Sequence, residues 1–225
     1  MPRLEDDLAA SFRQGVHLAQ RDPAVSPEAL LFGCASGPGG VCFPLSALWV
    51  KRHMWHRGEG PAGRAAYLAS DSSMRAALTT HREACMGARF TLPPATPWEN
   101  YRLRVLNASG LTWGPLPLGE FRAGGRSFDR QAAGILASLT SSHSYHFICL
   151  HGGAPAKGHA MASYTANTAS QDRALLHLFD PNWGEFKVSA RHAPQFLARL
   201  LAWYDGHREF GPMTQFSLGR LRLRP

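Results

Sequence analysis

A chain of 225 residues, 44% hydrophobic and 18% charged, carries enough apolar material for one sizeable core and has the composition of an ordinary soluble globular protein. Its formal charge of +8 comes from 24 Lys and Arg against 16 Asp and Glu. No basic run exceeds Arg220-Leu-Arg-Leu-Arg224, so no nucleic-acid partner is expected, whereas contact with an anionic membrane stays open. Cys34, Cys42, Cys85 and Cys149 form no CxxC pair and have no His pair at zinc-finger spacing, which argues for a reducing compartment, no structural metal and no cofactor. No stretch approaches the roughly 18 apolar residues of a membrane span, and Met1-Pro-Arg-Leu-Glu-Asp-Asp7 is not a secretory signal.

Taken in order, Leu4, Leu8, Phe12 and Val16 fall at steps of four and predict an amphipathic helix over 4–20. Ser26-Pro-Glu28 signals a helix start before a short apolar turn at Leu30, Leu31 and Phe32. The run Gly37-Pro-Gly-Gly-Val-Cys42-Phe-Pro44 then reads as a flexible loop that delivers Cys42 onto the first turn of a helix, because Pro44 is tolerated there. Leu45, Leu48 and Trp49 carry its buried face inward, to about His56. At a helix N-terminus, unpaired N–H groups and the positive end of the dipole favour a thiolate. Two further helices are expected at about 62–69 and 72–86.

Leu92-Pro-Pro-Ala-Thr-Pro97 cannot be helical and reads as a crossing between two halves. Beyond it, Tyr101, Leu103 and Val105 alternate with Arg102 and Arg104, the pattern of a half-buried strand. A Gly- and Pro-rich patch at 114–125 precedes a helix at 128–139. Strands follow at 145–150, 159–165, 175–179 and 185–189, then a helix at 192–205 and a C-terminal strand whose parity changes at Gly219, where a bulge is expected. The class is α+β: a helical half (about 36–90) packed on an antiparallel sheet half (about 100–225). The whole of 1–225 is read as a single domain, with 1–35 as an N-terminal extension or removable arm.

A cysteine nucleophile needs a base and a group to orient it. Centring the hairpin of the 159–165 and 175–179 strands on residue 170 pairs position 159 with 181 and brings His159 beside Asp180. An imidazole held by a carboxylate is fixed in one tautomer, with its other nitrogen available to a thiol. Spacing alone leaves His143, His146, His151 and His177 as alternatives in the same region.

Three segments together resemble a known family. Gly40-Val-Cys-Phe-Pro-Leu-Ser-Ala-Leu-Trp49, Gly158-His-Ala-Met-Ala162 and Phe179-Asp-Pro-Asn-Trp-Gly-Glu-Phe186 look like the Cys, His and Asp boxes of the YopT/AvrPphB-type cysteine peptidases, papain-like bacterial effectors and toxin domains. The resemblance implies a papain-like cysteine protease fold. It also implies that Cys42 is the nucleophile, His159 the base and then acid, and Asp180 the orienter, acting through a thioester acyl-enzyme. The Cys42 backbone N–H would be one oxyanion donor. Relatives place Asn or Gln five or six residues before the cysteine, where this chain has Gly37 and Ser36, so Ser36, another backbone N–H or a distant side chain would be the second. Pro44 departs from the family pattern.

The family implies a protein substrate in a target cell, secretion without a classical signal peptide, action in that cell's cytosol, and a cognate chaperone or immunity protein as partner. The same thioester route also serves amidases, deamidases and acyltransferases, peptidoglycan hydrolases among them. A catalytically inactive basic binding module is the reading outside enzymes.

Overall fold

The computed structural model describes residues 3–20, 41–88, 90, 96–115, 128–139, 143–152, 158–166, 175–207 and 213–224. Its centre is a seven-stranded antiparallel sheet: β1 (Leu8–Ser11), β2 (Leu111–Pro115), β3 (Ser144–Gly152), β4 (Gly158–Ala166), β5 (Leu175–Asp180), β6 (Gly184–Ser189) and β7 (Met213–Leu223), in the spatial order β1-β6-β5-β4-β3-β7-β2. Helices cover both faces, so the inner strands are apolar on both sides. On one face Phe147, Ala160, Ala162 and Phe179 pack against α2 (Cys42–Trp55), α3 (Pro61–Ala69), α4 (Asp71–Ala88) and α5 (Pro97–Ala108). On the other, Ile148, Met161, Leu178 and Phe186 pack against α6 (Phe128–Leu139) and α7 (Ala193–Gly206). A short α1 (Gln14–Ala19) follows β1. The fold is the papain-like one the motifs imply.

Most expected elements appear within a residue or two of their bounds, and three differ. Residues 101–105 are helical, not a strand. Thr96 caps α5, its Oγ1 accepting from the Glu99 N–H at 3.2 Å while the Glu99 carboxylate accepts from the Thr96 N–H at 2.8 Å, and Pro97 occupies the first turn. Tyr101 and Val105, four apart, make the buried face, and Leu103, which the alternation would bury, is 50% exposed.

The expected 4–20 helix is instead a 3-10 turn (Leu4–Asp7), strand β1 and α1. Pairing of β1 covers the edge that β6 would otherwise expose. The apolar stripe splits accordingly: Leu4 joins the α6/α7 core and Phe12 the α2 core, on opposite faces of the sheet, while Val16 is half exposed. Gly184 lets this segment cross so closely, since at φ +127° a Cβ there would collide with the Ala10 carbonyl.

The expected bulge at Gly219 is absent. Gly219 pairs in register with Phe147 and Pro115, and the parity change marks residues that serve opposite cores, Phe216 and Leu218 on one face and Leu221 on the other. Glycine is needed there because the Trp113 ring lies over it, where a Cβ would be. Residues 92–95 of the expected 92–97 crossing, the Gly37–Gly40 loop, the Ser26–Phe32 turn and most of the 114–125 patch lie outside the described residues, while Pro97 at the end of that crossing opens α5.

Candidate active site

Cys42 is the first residue of α2. Val41 is the N-cap and its carbonyl accepts the first helical bond from the Leu45 N–H at 3.0 Å. Cys42, Phe43 and Pro44 thus occupy positions whose N–H groups have no intrahelical acceptor, which explains how proline is accommodated two residues after the cysteine. The first turn is docked onto β4 by Ser46, whose hydroxyl donates to the Ala160 carbonyl at 3.0 Å. Because Ala160 follows His159, this single bond ties the helix end carrying the thiol to the strand end carrying the imidazole.

The ladder between β4 and β5 runs from Ala162 opposite Phe179 to Ala166 opposite Leu175. Continued, it sets 159 opposite 182, one residue away from the expected 159–181 pairing. The difference matters, since pairing with 181 would have turned Asp180 to the other face of the sheet. In the observed register Asp180 is the diagonal neighbour of His159 on the same face. His159 Nε2 donates to Asp180 Oδ1 at 2.9 Å, with both residues buried. The other ring nitrogen, Nδ1, is not used by Asp180, and the Cys42 thiol acts on the ring through hydrogen bonding and charge. Cys42 itself is 1% exposed.

Burial alone would push the His159 pKa down. The Asp180 charge and hydrogen bond, together with Cys42, outweigh it and bring the ring up to about 9. The other histidines of the region lie elsewhere: His143 meets the Tyr164 hydroxyl at 3.0 Å, His177 meets Glu185 at 3.3 Å, His151 packs against Trp98, and His146 is fully buried with neither ring nitrogen bonded. Cys149 is buried and its thiol is pushed up to about 12 by desolvation, so it stays protonated. Ser36 and Cys34 lie outside the described residues.

Three residues that the motif reading did not assign a role surround Asp180. The Asn182 backbone N–H donates to Oδ1 at 2.8 Å, the Tyr204 hydroxyl donates to Oδ2 at 2.7 Å, and Asn182 Nδ2 donates to the Tyr204 oxygen at 3.2 Å. Gln14 Nε2 donates in turn to Asn182 Oδ1 at 2.6 Å. Asn182 sits in the turn after β5 and was legible as a turn-former. Tyr204 and Gln14 come from α7 and α1, 24 and 166 residues from Asp180, and no local pattern marks either.

Acid should destabilise the fold through histidines outside this site. Desolvation first and a neighbouring arginine second, Arg64 for His53 and Arg220 for His146, bring both rings down from 6.5 to about 4. The unfolded chain then binds more protons between pH 6.5 and 4, and stability falls as the pH drops through that window, by about 3 kcal/mol for each ring. His159 has the opposite sign: its contribution is complete below pH 6.5 and is lost as the pH rises through about 9. Stability should therefore peak near neutrality. Urea unfolding at pH 7 and pH 4.5 tests this, and equal midpoints would count against it.

Comparison with known proteins gives a family match over part of the chain and a shared fold over nearly all of it. Residues 120–218 match the model of a peptidase family described as Yersinia/Haemophilus virulence surface antigen, a stretch that includes His159 and Asp180 but not Cys42. The structure is similar to that of the Pseudomonas avirulence protein AvrPphB, with a TM-score of 0.71 at 19% identity, over 98% of this chain and 100% of that one. A cysteine protease-like domain of the Photorhabdus asymbiotica toxin PaTox also aligns, with a TM-score of 0.46 at 11% identity, over 97% of this chain and 55% of that one. No curated protein matches the chain in sequence.

Proposed function

We propose that the protein is a cysteine peptidase of the YopT/AvrPphB type that cleaves a protein of a target cell. The observation that carries this reading is the buried His159–Asp180 pair at the strand end to which the first turn of α2, bearing Cys42, is docked. The matched family's description as a virulence antigen supports action on another cell.

In this mechanism the Cys42 thiol gives its proton to His159 Nδ1 while Nε2–H stays bonded to Asp180. The thiolate adds to the scissile carbonyl, and the developing oxyanion meets the Cys42 backbone N–H at the start of α2. The imidazolium returns its proton to the departing amine, leaving a thioester. His159 then takes a proton from water as it adds to the thioester, and collapse releases the acid and restores the thiol. The raised His159 pKa suits the imidazolium half of this cycle.

The test is incubation with a proteome-derived peptide library and identification of new amino termini by mass spectrometry. New termini should appear with the parent protein and be absent with Cys42→Ala and His159→Ala. The same termini from parent and Cys42→Ala would refute the peptidase reading. A +1 Da deamidation at glutamine without new termini would replace it with deamidation.

A further inference from the structure

The catalytic reading names Asp180 as the group that holds His159, but a carboxylate on the last residue of a strand needs holding itself. The turn after β5 could swing its side chain through several rotamers. Its position is instead set by donors on both oxygens, Asn182 N–H on Oδ1 and Tyr204 on Oδ2. Tyr204 also touches the base directly, its ring stacked on the His159 imidazole with centroids 4.7 Å apart and planes 26° from parallel. One side chain thereby restrains the rotation of the carboxylate and the plane of the imidazole together.

The donors converge on Asp180 from both sides. Gln14 donates to Asn182, Asn182 to Tyr204, Tyr204 to Asp180, and His159 to Asp180. Each acceptor in this chain is buried, and desolvation together with the Asp180 charge raises the Tyr204 pKa well above 10, so its hydroxyl remains a donor wherever an imidazole–thiol couple works. The far end is anchored by the N-terminal segment. The Phe12 N–H donates to the Trp183 carbonyl at 3.0 Å, the Gln14 N–H donates to the Pro181 carbonyl at 2.8 Å, and the Phe12 ring packs on Phe179. The turn that carries Asp180 is therefore gripped from α1 on one side and from α7 on the other.

We infer that Tyr204 is a positioning residue for the catalytic pair, fixing Asp180 by hydrogen bonding and His159 by stacking, with Asn182 and Gln14 as its supports. This rests on the peptidase reading for its catalytic consequence, though not for its geometry. Losing the hydroxyl frees Oδ2 and loosens the Asp180–His159 bond, and burial then acts on the ring with less opposition.

The experiment follows the His159 ring directly, by NMR titration of 13C-histidine-labelled protein, with His159→Gln identifying the resonance. In the parent the ring should titrate near pH 9. In Tyr204→Phe it should move down by about one pH unit, and turnover on a cleaved peptide should fall about tenfold at unchanged KM, with the basic limb of the rate profile moving down in step. Asn182→Ala, which keeps the backbone donor and removes only the side chain, should move the ring the same way by less. It carries the test if Tyr204→Phe does not fold. A folded variant with a lower melting temperature but an unmoved His159 titration and unchanged kcat would overturn the inference and leave Tyr204 a core residue. A parent protein without peptidase activity, in which Tyr204→Phe still shifts the ring, would refute the proposed function and leave the positioning role standing.

Discussion

Asp180→Ala should lower kcat by on the order of 10^3 to 10^4 while the chain still folds. The carboxylate is fully buried and accepts from His159, the Asn182 N–H and Tyr204. Without it, desolvation, the largest influence on the His159 ring and the one that lowers its pKa, acts with its main opponent gone. An imidazolium then forms less readily beside the thiol, and the ring loses its tautomeric preference because Nε2–H has no acceptor. The folded state also loses stability, since orphaned buried donors cost about 1–3 kcal/mol each. Turnover measured across pH 5–10 separates the two effects: a chemical role removes the alkaline plateau below pH 9, whereas a stability defect scales the whole profile. Full turnover in a folded Asp180→Ala protein would remove Asp180 from the mechanism. Asp180→Asn retains an oxygen that can accept from His159 Nε2 and is expected to be the milder change.

Glu185→Ala should cost roughly 3–5 kcal/mol of stability, the largest effect expected of any single change away from the candidate triad. Glu185 on β6 accepts a two-pronged bond from Arg64 on α3, Nε to Oε2 at 2.8 Å and Nη2 to Oε1 at 2.6 Å, and a third bond from the Trp49 indole on α2 at 2.8 Å. Both ends of the ion pair are 2% exposed or less. Burial pushes the Glu185 pKa up, but bonding from Arg64, His177 and Trp49 reverses this and brings it down to about 2. Removing the carboxylate strands a guanidinium in the core between helices and sheet, and a buried charge without its partner is far worse than no charge at all. The melting temperature should fall by roughly 10 °C. A double change, Arg64→Met with Glu185→Leu, should recover most of that loss, because it exchanges the stranded charge for apolar packing. If the single and double variants were equally destabilised, the pair's Coulombic role would be refuted and the loss assigned to packing.

The contrast between these two clusters shows where sequence reasoning reached and where it stopped. The Gly-rich approach, Pro44 and the apolar positions after Cys42 are local signals for a helix start, and the helix begins there. The strands from Ser144 to Ser189 were legible for a similar reason: short apolar runs bounded by turns such as Asp180-Pro-Asn-Trp-Gly184 have few other ways to bury themselves. Residues 101–105 failed because five residues of alternation fit a strand and a helix face equally well, and the Thr96–Glu99 capping box upstream decided the matter. The 4–20 segment failed because its partner strand, β6, lies more than 170 residues away.

By itself the sequence determined the local elements around Cys42, His159 and Asp180, since helix starts, strand runs and turns depend on neighbours within a few residues. Tertiary structure decided which of them meet. A one-residue choice of register sets whether His159 and Asp180 share a face, and that choice belongs to the whole sheet packed between two helical layers. It also decided what holds Asp180: Tyr204 and Gln14 approach from opposite ends of the chain, and no short-range pattern encodes a contact whose partners become neighbours only when both cores close.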